Sequence, residues 1–207
     1  FVWTDIGPEH ETEFNRWYDR EHMEERVSIA GFEWARRYRA VSDEERRYLA
    51  LYRVEGREVF TSKPYQEAFA HQTDWSNKNF VRMRNTQRRV LEVSLGRGAG
   101  TGGVLGLLGL GIKPQVSLQV SDLVNELLNM EGVLGLRCLE PDVDLSTPLP
   151  SESLDGRILE PYLIIEGTSV AGVDKAIRAA ADALQLDQKQ AVCFGLMWEL
   201  RWVDLKV

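Results

Sequence analysis

The sequence predicts an α+β protein: two tandem ferredoxin-like βαββαβ repeats whose antiparallel sheets pack together as an intrachain pseudo-dimeric α/β barrel. Three observations predict it. The stretch Gly96-Arg-Gly-Ala-Gly-Thr-Gly-Gly103 cuts the 207 residues near their middle. Hydrophobic periodicity on each side of it reads β-α-β-β-α-β. One such unit covers only one face of its sheet with helices, so the other apolar face needs a second sheet against it. The expected units are 1–97, a linker over 98–103, and 104–207.

In the first unit, Phe1–Ile6 reads as a strand. Pro8 suits the first position of a helix, Glu9, Glu11 and Glu13 complement its dipole, and Gly31 stops it after Val27. Phe32–Val41 and Tyr48–Val54 alternate around the turn at Asp43-Glu44-Glu45, which is a hairpin. Glu58–His71 is helical, with Pro64 as an interruption or restart. Thr73–Asn77 and Phe80–Arg89 read as a long connection, of the kind that tends to carry function. Arg89–Leu95 is the last strand.

The second unit repeats this order more loosely. Val104–Leu110 is a strand, Val120–Met130 a helix, and Val133–Leu139 a strand. A loop, Pro141–Asp155, holds Pro148 and Pro150. Pro161–Glu166 is a strand, Ala171–Leu184 a helix and Ala191–Val203 a long final strand. The halves share a pattern of elements and no letters at a fixed offset. Gly98, Gly100 and Gly103 formally make GxGxxG, but a dinucleotide loop opens a helix, and the next run, Val104–Leu110, reads as a strand.

Composition excludes several classes. The net charge is −7. Residues 1–97 hold 17 Lys+Arg and 17 Asp+Glu, and the remaining 8 and 15 leave the second half at −7. An acidic chain without a basic stripe is a poor partner for nucleic acid or an anionic membrane. No apolar run reaches the roughly 18 residues of a membrane span. No leader is visible, although the chain opens on Phe1 rather than Met, which weakens that observation. The expected location is cytoplasmic. Cys138 and Cys193 lie in strand-like apolar runs and read as buried free thiols. No CxxC, HxxxH or paired histidine marks a metal site.

The stretch Phe14–Arg26, FNRWYDREHMEER, carries the functional question. At 100° per residue Phe14, Trp17, Tyr18, Glu21 and Glu25 share a face, with His22 on its edge. Trp17 and Tyr18 mark that face as buried, yet one turn later it is polar. Either the helix end runs past the sheet and is solvated, or the face enters a cleft. In a cleft, His22 titrates near neutrality, with Glu21 or Glu25 raising its pKa and holding one tautomer. Tyr18, four residues back, reaches the same ligand. Such a pair suits proton transfer or carbonyl polarisation. His10 reads as exposed, and His71 as a cation at a helix end.

Trp34, Arg36 and Tyr38 alternate on one strand, and Tyr48 and Tyr52 on its partner. These predict one sheet face with aromatics around Arg36, fit for a planar, partly anionic molecule and equally for a large core. Trp75 is a candidate lid or pocket wall. The site residues are therefore His22 and Tyr18 as catalytic groups. Trp17, Arg26, Trp34, Arg36, Arg37, Tyr38 and Trp75 surround the substrate.

The run Phe14-Asn-x-Trp-Tyr-Asp-x-Glu-His22, then Arg26, Gly31-Phe32 and Arg36-Arg37-Tyr38, resembles the EthD-like group of the dimeric α/β-barrel (ferredoxin-like) superfamily. Tyr65, Trp75-Ser76 and Arg88 fit the same pattern. The resemblance covers about the first 97 residues. It implies a sheet face paired with a second sheet, usually from another subunit, and a cleft between sheet and helices. His22 and Tyr18 would line the cleft, with Arg36 or Arg37 nearby. The wider superfamily includes lactone isomerases, cofactor-free monooxygenases, polyketide tailoring enzymes and haem proteins. The second half departs from the pattern: Val120–Met130 lacks Tyr and His, and its following strand keeps only Arg137. It reads as a degenerate partner that completes the barrel.

Three functions are consistent with these residues. The first is a cofactor-independent lyase, isomerase or oxygenase acting on a small aromatic or keto compound, with His22 as acid/base. The second is a non-catalytic small-ligand carrier, with haem on His22 or His71 as a special case. The third is a structural module. The expected partner is a small organic molecule. The expected assembly is a monomer acting as its own dimer, or a homodimer of such chains.

Overall fold

The computed structural model describes residues 1–113 and 116–206. The described residues form nine strands and five helices. Strand β1 (Val2–Ile6) leads into α1, a composite helix of four consecutive segments. Pro8–His10 is 3-10, Glu11–Trp17 α, Tyr18–His22 π and Met23–Val27 α again. The hairpin β2 (Phe32–Ala40) and β3 (Tyr48–Val54) comes next. It leads to α2 (Lys63–Ala70), α3 (Asp74–Arg82), β4 (Met83–Arg88) and β5 (Leu91–Gly98). The remainder runs β6 (Val104–Gly109), α4 (Val116–Leu128), β7 (Val133–Pro141), β8 (Tyr162–Gly167), α5 (Val170–Ala183) and β9 (Ala191–Arg201).

All strand pairings are antiparallel, in the order β4-β1-β3-β2-β9-β6-β8-β7-β5. The strands before and after residue 98 meet at β2–β9, where Trp34 lies opposite Arg201 and Ala40 opposite Phe194. The two ends of that order, β4 and β5, are consecutive in the chain, with only Arg89 and Val90 between them.

Three large apolar clusters and a small one, of Ile29, Phe32 and Val59, fill the layers. One lies between α1, α3 and the first strands, with Phe14, Trp17, Tyr18, Met23, Val27 and Met83. A second lies under α4 and α5, with Val120, Leu127, Ile165, Ile177 and Ala180. The third mixes both halves on the opposite sheet face: Tyr38 and Leu49 pack with Leu105, Leu107, Tyr162, Ile164 and Phe194.

The structure corrects the expected elements at four places. The expected long connection after Trp75 is α3 followed directly by β4. Thr73 caps α3 by accepting from Ser76 N at 3.0 Å. An unexpected strand, β4, precedes the expected last strand of the first half, and the chain changes partner from β1 to β7 at Arg89-Val90. The strand expected to end at Leu95 runs three residues further. Strand β5 extends to Gly98, whose φ of +85° and whose Cβ position 2.2 Å from Leu134 O both demand glycine there. The final strand stops at Arg201, and Trp202–Lys206 is 3-10. After Gly103 comes β6 rather than a helix, so the GxGxxG spacing carries no nucleotide loop.

Candidate functional site

The π turn changes which side chains of α1 look inward. A regular helix puts residues five apart on divergent faces, while a π turn adds a residue to the loop and brings them together. Trp17 and His22 accordingly stack at 4.3 Å between ring centroids, 28° from parallel. The buried face moves on by one residue: Phe14, Trp17 and Tyr18 are followed by His22, Met23, Arg26 and Val27. Glu21 and Glu25, expected on that face, are only half-buried. Glu21 accepts from Thr73 Oγ1 at 2.6 Å, which ties α1 to the start of α3.

His22 is 6% exposed. Tyr18 and Phe80 meet its ring edge-on at 5.2 and 5.7 Å. Its Nδ1 lies 3.7 Å from Glu25 Oε2, beyond hydrogen-bond reach; both atoms are buried without a hydrogen-bond partner, and Glu25 Oε2 also lies 3.8 Å from Arg26 Nη2. Burial drives the imidazole pKa down to about 4, and the Glu25 carboxylate offsets this only in part. The expected upward shift is therefore reversed, because desolvation outweighs the neighbouring charge. The ring is neutral at physiological pH.

His22, Tyr18 and Arg26 line a cavity of about 710 Å3. On the helix side its walls include Tyr52, Tyr65, Phe80, Met83 and Arg88. Arg26 donates through Nη2 to Ala68 O at 3.2 Å, and Gln72 Nε2 donates to the same carbonyl at 2.7 Å. Arg26 Nε, Gln72 Oε1 and the Tyr52 hydroxyl are buried without a hydrogen-bond partner. Such atoms are costly unless something else satisfies them. Burial raises the Tyr52 pKa well above 10, and the neighbouring Tyr18 adds to this. Both phenols stay protonated and can donate.

The second half supplies a roof. Leu149 and Pro150, from the loop after β7, line the cavity. Arg88 Nη1 holds that loop through Leu145 O at 2.8 Å and Thr147 O at 3.0 Å, while Arg88 Nη2 donates to the Tyr65 hydroxyl at 2.9 Å. Arg89 pairs with buried Glu152 at 2.5 Å.

The sheet arginines divide between the two faces. The β2–β3 register sets Arg36 opposite Leu51 and Arg37 opposite Ala50, so Tyr48 and Tyr52 share a face with Arg37 and not with Arg36. The expected single aromatic face around Arg36 is thus two faces; a bulge between Phe32 and Trp34 also parts those two residues. Arg37 is 1% exposed and sits beneath α1. It donates to Asn15 Oδ1 at 2.7 Å, pairs with Asp19 at 3.4 Å and stacks on Tyr18 at 4.0 Å. Arg36 lies on the other face, stacked on Trp34 at 3.9 Å. It pairs with Glu199 and, at 3.2 Å, with Glu166, which also pairs with Arg137.

Of the residues singled out in the sequence, His22, Tyr18, Arg26, Trp34 and Arg36 line the cavity. Trp17, Arg37, Tyr38 and Trp75 stand outside its lining. Trp17 donates to Ser76 Oγ at 3.0 Å behind His22. Trp75 donates to Glu13 Oε1 at 2.8 Å across the α1–α3 contact. Tyr38 is part of the mixed core, its pKa pushed up to about 12 by burial. Tyr52 is legible as an alternating strand position, and Arg88 as part of the family-like pattern. Leu149 and Pro150 carry no signal in the sequence. Among the described residues, no group of three or more His, Cys, Asp or Glu is placed to hold a metal ion.

No family model matches the sequence. No curated protein matches it either. Solved structures do match in fold. One, an "anthrone oxidase-like protein", superposes with a TM-score of 0.61 at 10% identity, over 97% of this chain and 91% of that one. A "putative monooxygenase" from Lactobacillus acidophilus NCFM gives 0.55 at 10% identity, over 97% and 94%. Another "putative monooxygenase", from Fusobacterium nucleatum, gives 0.52 at 9%, over 97% and 92%. The likeness is one of α+β fold alone. No helix among the described residues is long and apolar enough to cross a membrane.

Proposed function

We propose that this chain is a small-molecule enzyme of oxygenase type, acting on an aromatic or keto compound in the cleft between α1 and strands β2 and β3. The single observation that carries the reading is His22: a buried, neutral imidazole in a cavity wall, beside a protonated phenol and a guanidinium. A structural helix end would leave that ring in water. The names of the fold neighbours, at 9 and 10% identity, favour the oxygenase branch over the lyase and isomerase branches.

The chemistry comes from the groups present. A substrate with an activated C–H loses a proton to His22 and leaves a carbanion. Glu25, facing Nδ1, favours the tautomer that keeps Nε2 as the acceptor. Tyr18 donates to the substrate oxygen, and Arg26 lowers the energy of the charge that develops there. The carbanion then gives electrons to dioxygen. In the net change a CH2 group and O2 become C=O and water, so dioxygen is the only oxidant required.

We also read the architecture as a tandem pseudo-dimer. In β4-β1-β3-β2 and β9-β6-β8-β7, the fourth, first, third and second strands of each half succeed one another in the same order. The helix-side space of the second half is filled by Val120, Val173 and Ile177, which supports one active cleft per chain. We expect a monomer that serves as its own dimer.

The test is oxygen uptake with anthrone and a panel of hydroxylated aromatic ketones. His22→Gln should lower turnover about 100-fold or more while the fold is retained. Full turnover in that variant sinks the assignment. Tight binding without conversion favours a carrier instead. The haem form of that second reading rests on His22 alone, since His71 is exposed and outside the cavity lining. It would show as a Soret band lost in His22→Gln.

A further inference from the structure

Two side chains at the wall of the cleft have hydrogen-bonding capacity that the fold leaves half used. Helix α2 ends at Ala70, and the last carbonyls of a helix lack partners within it. Gln72 supplies one: its Nε2 donates to Ala68 O at 2.7 Å and to Phe69 O at 3.1 Å. Arg26 reaches the same helix end from α1, with Nη2 donating to Ala68 O at 3.2 Å. Both side chains thus converge on one carbonyl, and both line the cavity.

Capping α2 accounts for those two nitrogens and for nothing else in the pair. The Gln72 amide cannot be turned over, because its oxygen would then face two carbonyl oxygens. Oε1 is therefore fixed as an acceptor, and it is buried with no donor among the described residues. Arg26 is 8% exposed, and its Nε is likewise buried with no acceptor among them. The Glu25 carboxylate stands 3.8 Å from Nη2 and leaves Nε unmet. An unused acceptor and an unused donor are thus set side by side. The Tyr52 hydroxyl, which can serve as either, is a third such atom on a cavity residue. Each costs stability unless a ligand meets it.

We propose that Gln72 and Arg26 together select an aromatic substrate bearing a planar, neutral carboxamide or lactam. The inference rests on the reading of this cleft as a substrate site and names what that site recognises. The substrate carbonyl accepts from Arg26 Nε, and the N–H beside it donates to Gln72 Oε1. A ketone satisfies only the Arg26 half and leaves Oε1 buried and unmet. An ionised carboxylate pairs with the guanidinium, but it brings two acceptors and no donor, so one of its oxygens meets Oε1. Gln72 is therefore a specificity-determining residue: it turns a site that a lone arginine would give to anions into one for a neutral group with a donor and an acceptor on adjacent atoms.

The test is calorimetric binding, at neutral pH, of 2-naphthamide, 2-acetonaphthone and 2-naphthoate, which share a ring system and differ in the group to be read. The wild-type chain should bind the amide about tenfold or more tightly than either of the others. Two variants remove the acceptor. Gln72→Leu also removes the cap on α2, while Gln72→Lys keeps a donor at that helix end. Both should bring the amide and the ketone to within about twofold of each other. Gln72→Lys should also bind the naphthoate more tightly than the wild type does. His22→Gln should keep the amide preference, so this selectivity and the acid/base role of His22 fail separately. A wild-type chain that binds amide and ketone equally, prefers the naphthoate, or binds none of the three overturns the proposal. So does an amide preference that survives in both Gln72 variants.

Discussion

His22 costs stability in acid because it is buried without a charge partner close enough to hold its proton. Its folded pKa of about 4 lies below the ordinary value near 6.5. As pH falls, the unfolded chain takes up the proton first, so the contribution is complete above about pH 6.5 and is lost between 6.5 and 4. The full change is on the order of 3 kcal/mol. Urea titrations across that window should show the slope, and His22→Gln should flatten it. If His22 is the base, kcat/KM of the free enzyme should hold down to about pH 5, where an unperturbed imidazole would already have failed. Arg37 makes a different prediction. It is buried on Asn15, Asp19 and Tyr18, away from the cavity lining. Arg37→Ala should cost about 3 kcal/mol or more in chemical denaturation, by stranding Asn15 and leaving a void under α1. The residue types along Phe14–Arg26 point to the site, but the direction of the His22 shift depends on burial that no spacing reveals.

Among the elements, α1 shows where periodicity stops being informative. Caps and apolar spacing place a helix over 8–27, and 100° per residue then selects Glu21 and Glu25. The π turn selects His22 and Arg26 instead. Nothing in the letters YDREH announces the extra residue. Its anchors are distant in sequence: Asp19 takes Arg37 from β2 and Trp198 Nε1, at 2.9 Å, from β9. Deleting exposed Arg20 should return this turn to α geometry while leaving the faces on either side in place. The expected result is a higher Tm, with His22, then four residues after Trp17, still on the buried face. The roof over the cleft is equally hidden. Its residues come from Pro141–Asp155, a loop of the other half, and long-range contacts from Arg88, Arg89 and Val90 bring it there. Alternation, caps and glycines, all local signals, make eight of the strands legible. The change of partner at Arg89-Val90 escapes them because it is a tertiary event.

At the level of the whole molecule, the mixed core ties the halves into one folding unit. Tyr38 and Leu49 are buried against Leu105, Leu107, Ile164 and Phe194. A fragment of residues 1–97 would expose that face and the β2 edge, both of which invite association. Such a fragment should elute as an oligomer or aggregate in size-exclusion chromatography. A monomeric fragment with dispersed amide resonances would contradict this.

Strand β9 and the run formed by β4 and β5 each pair on both sides of residue 98. In a two-chain assembly of this shape those pairings are bimolecular and weaken on dilution. Here they are unimolecular, held at an effective concentration set by a few intervening residues. The midpoint of unfolding should not move with protein concentration. Because each surface occurs once, a change in α1 has no mirror image in α4. The cleft can therefore gain a histidine on one side while the other side fills with valine and isoleucine, and neither change disturbs the seam.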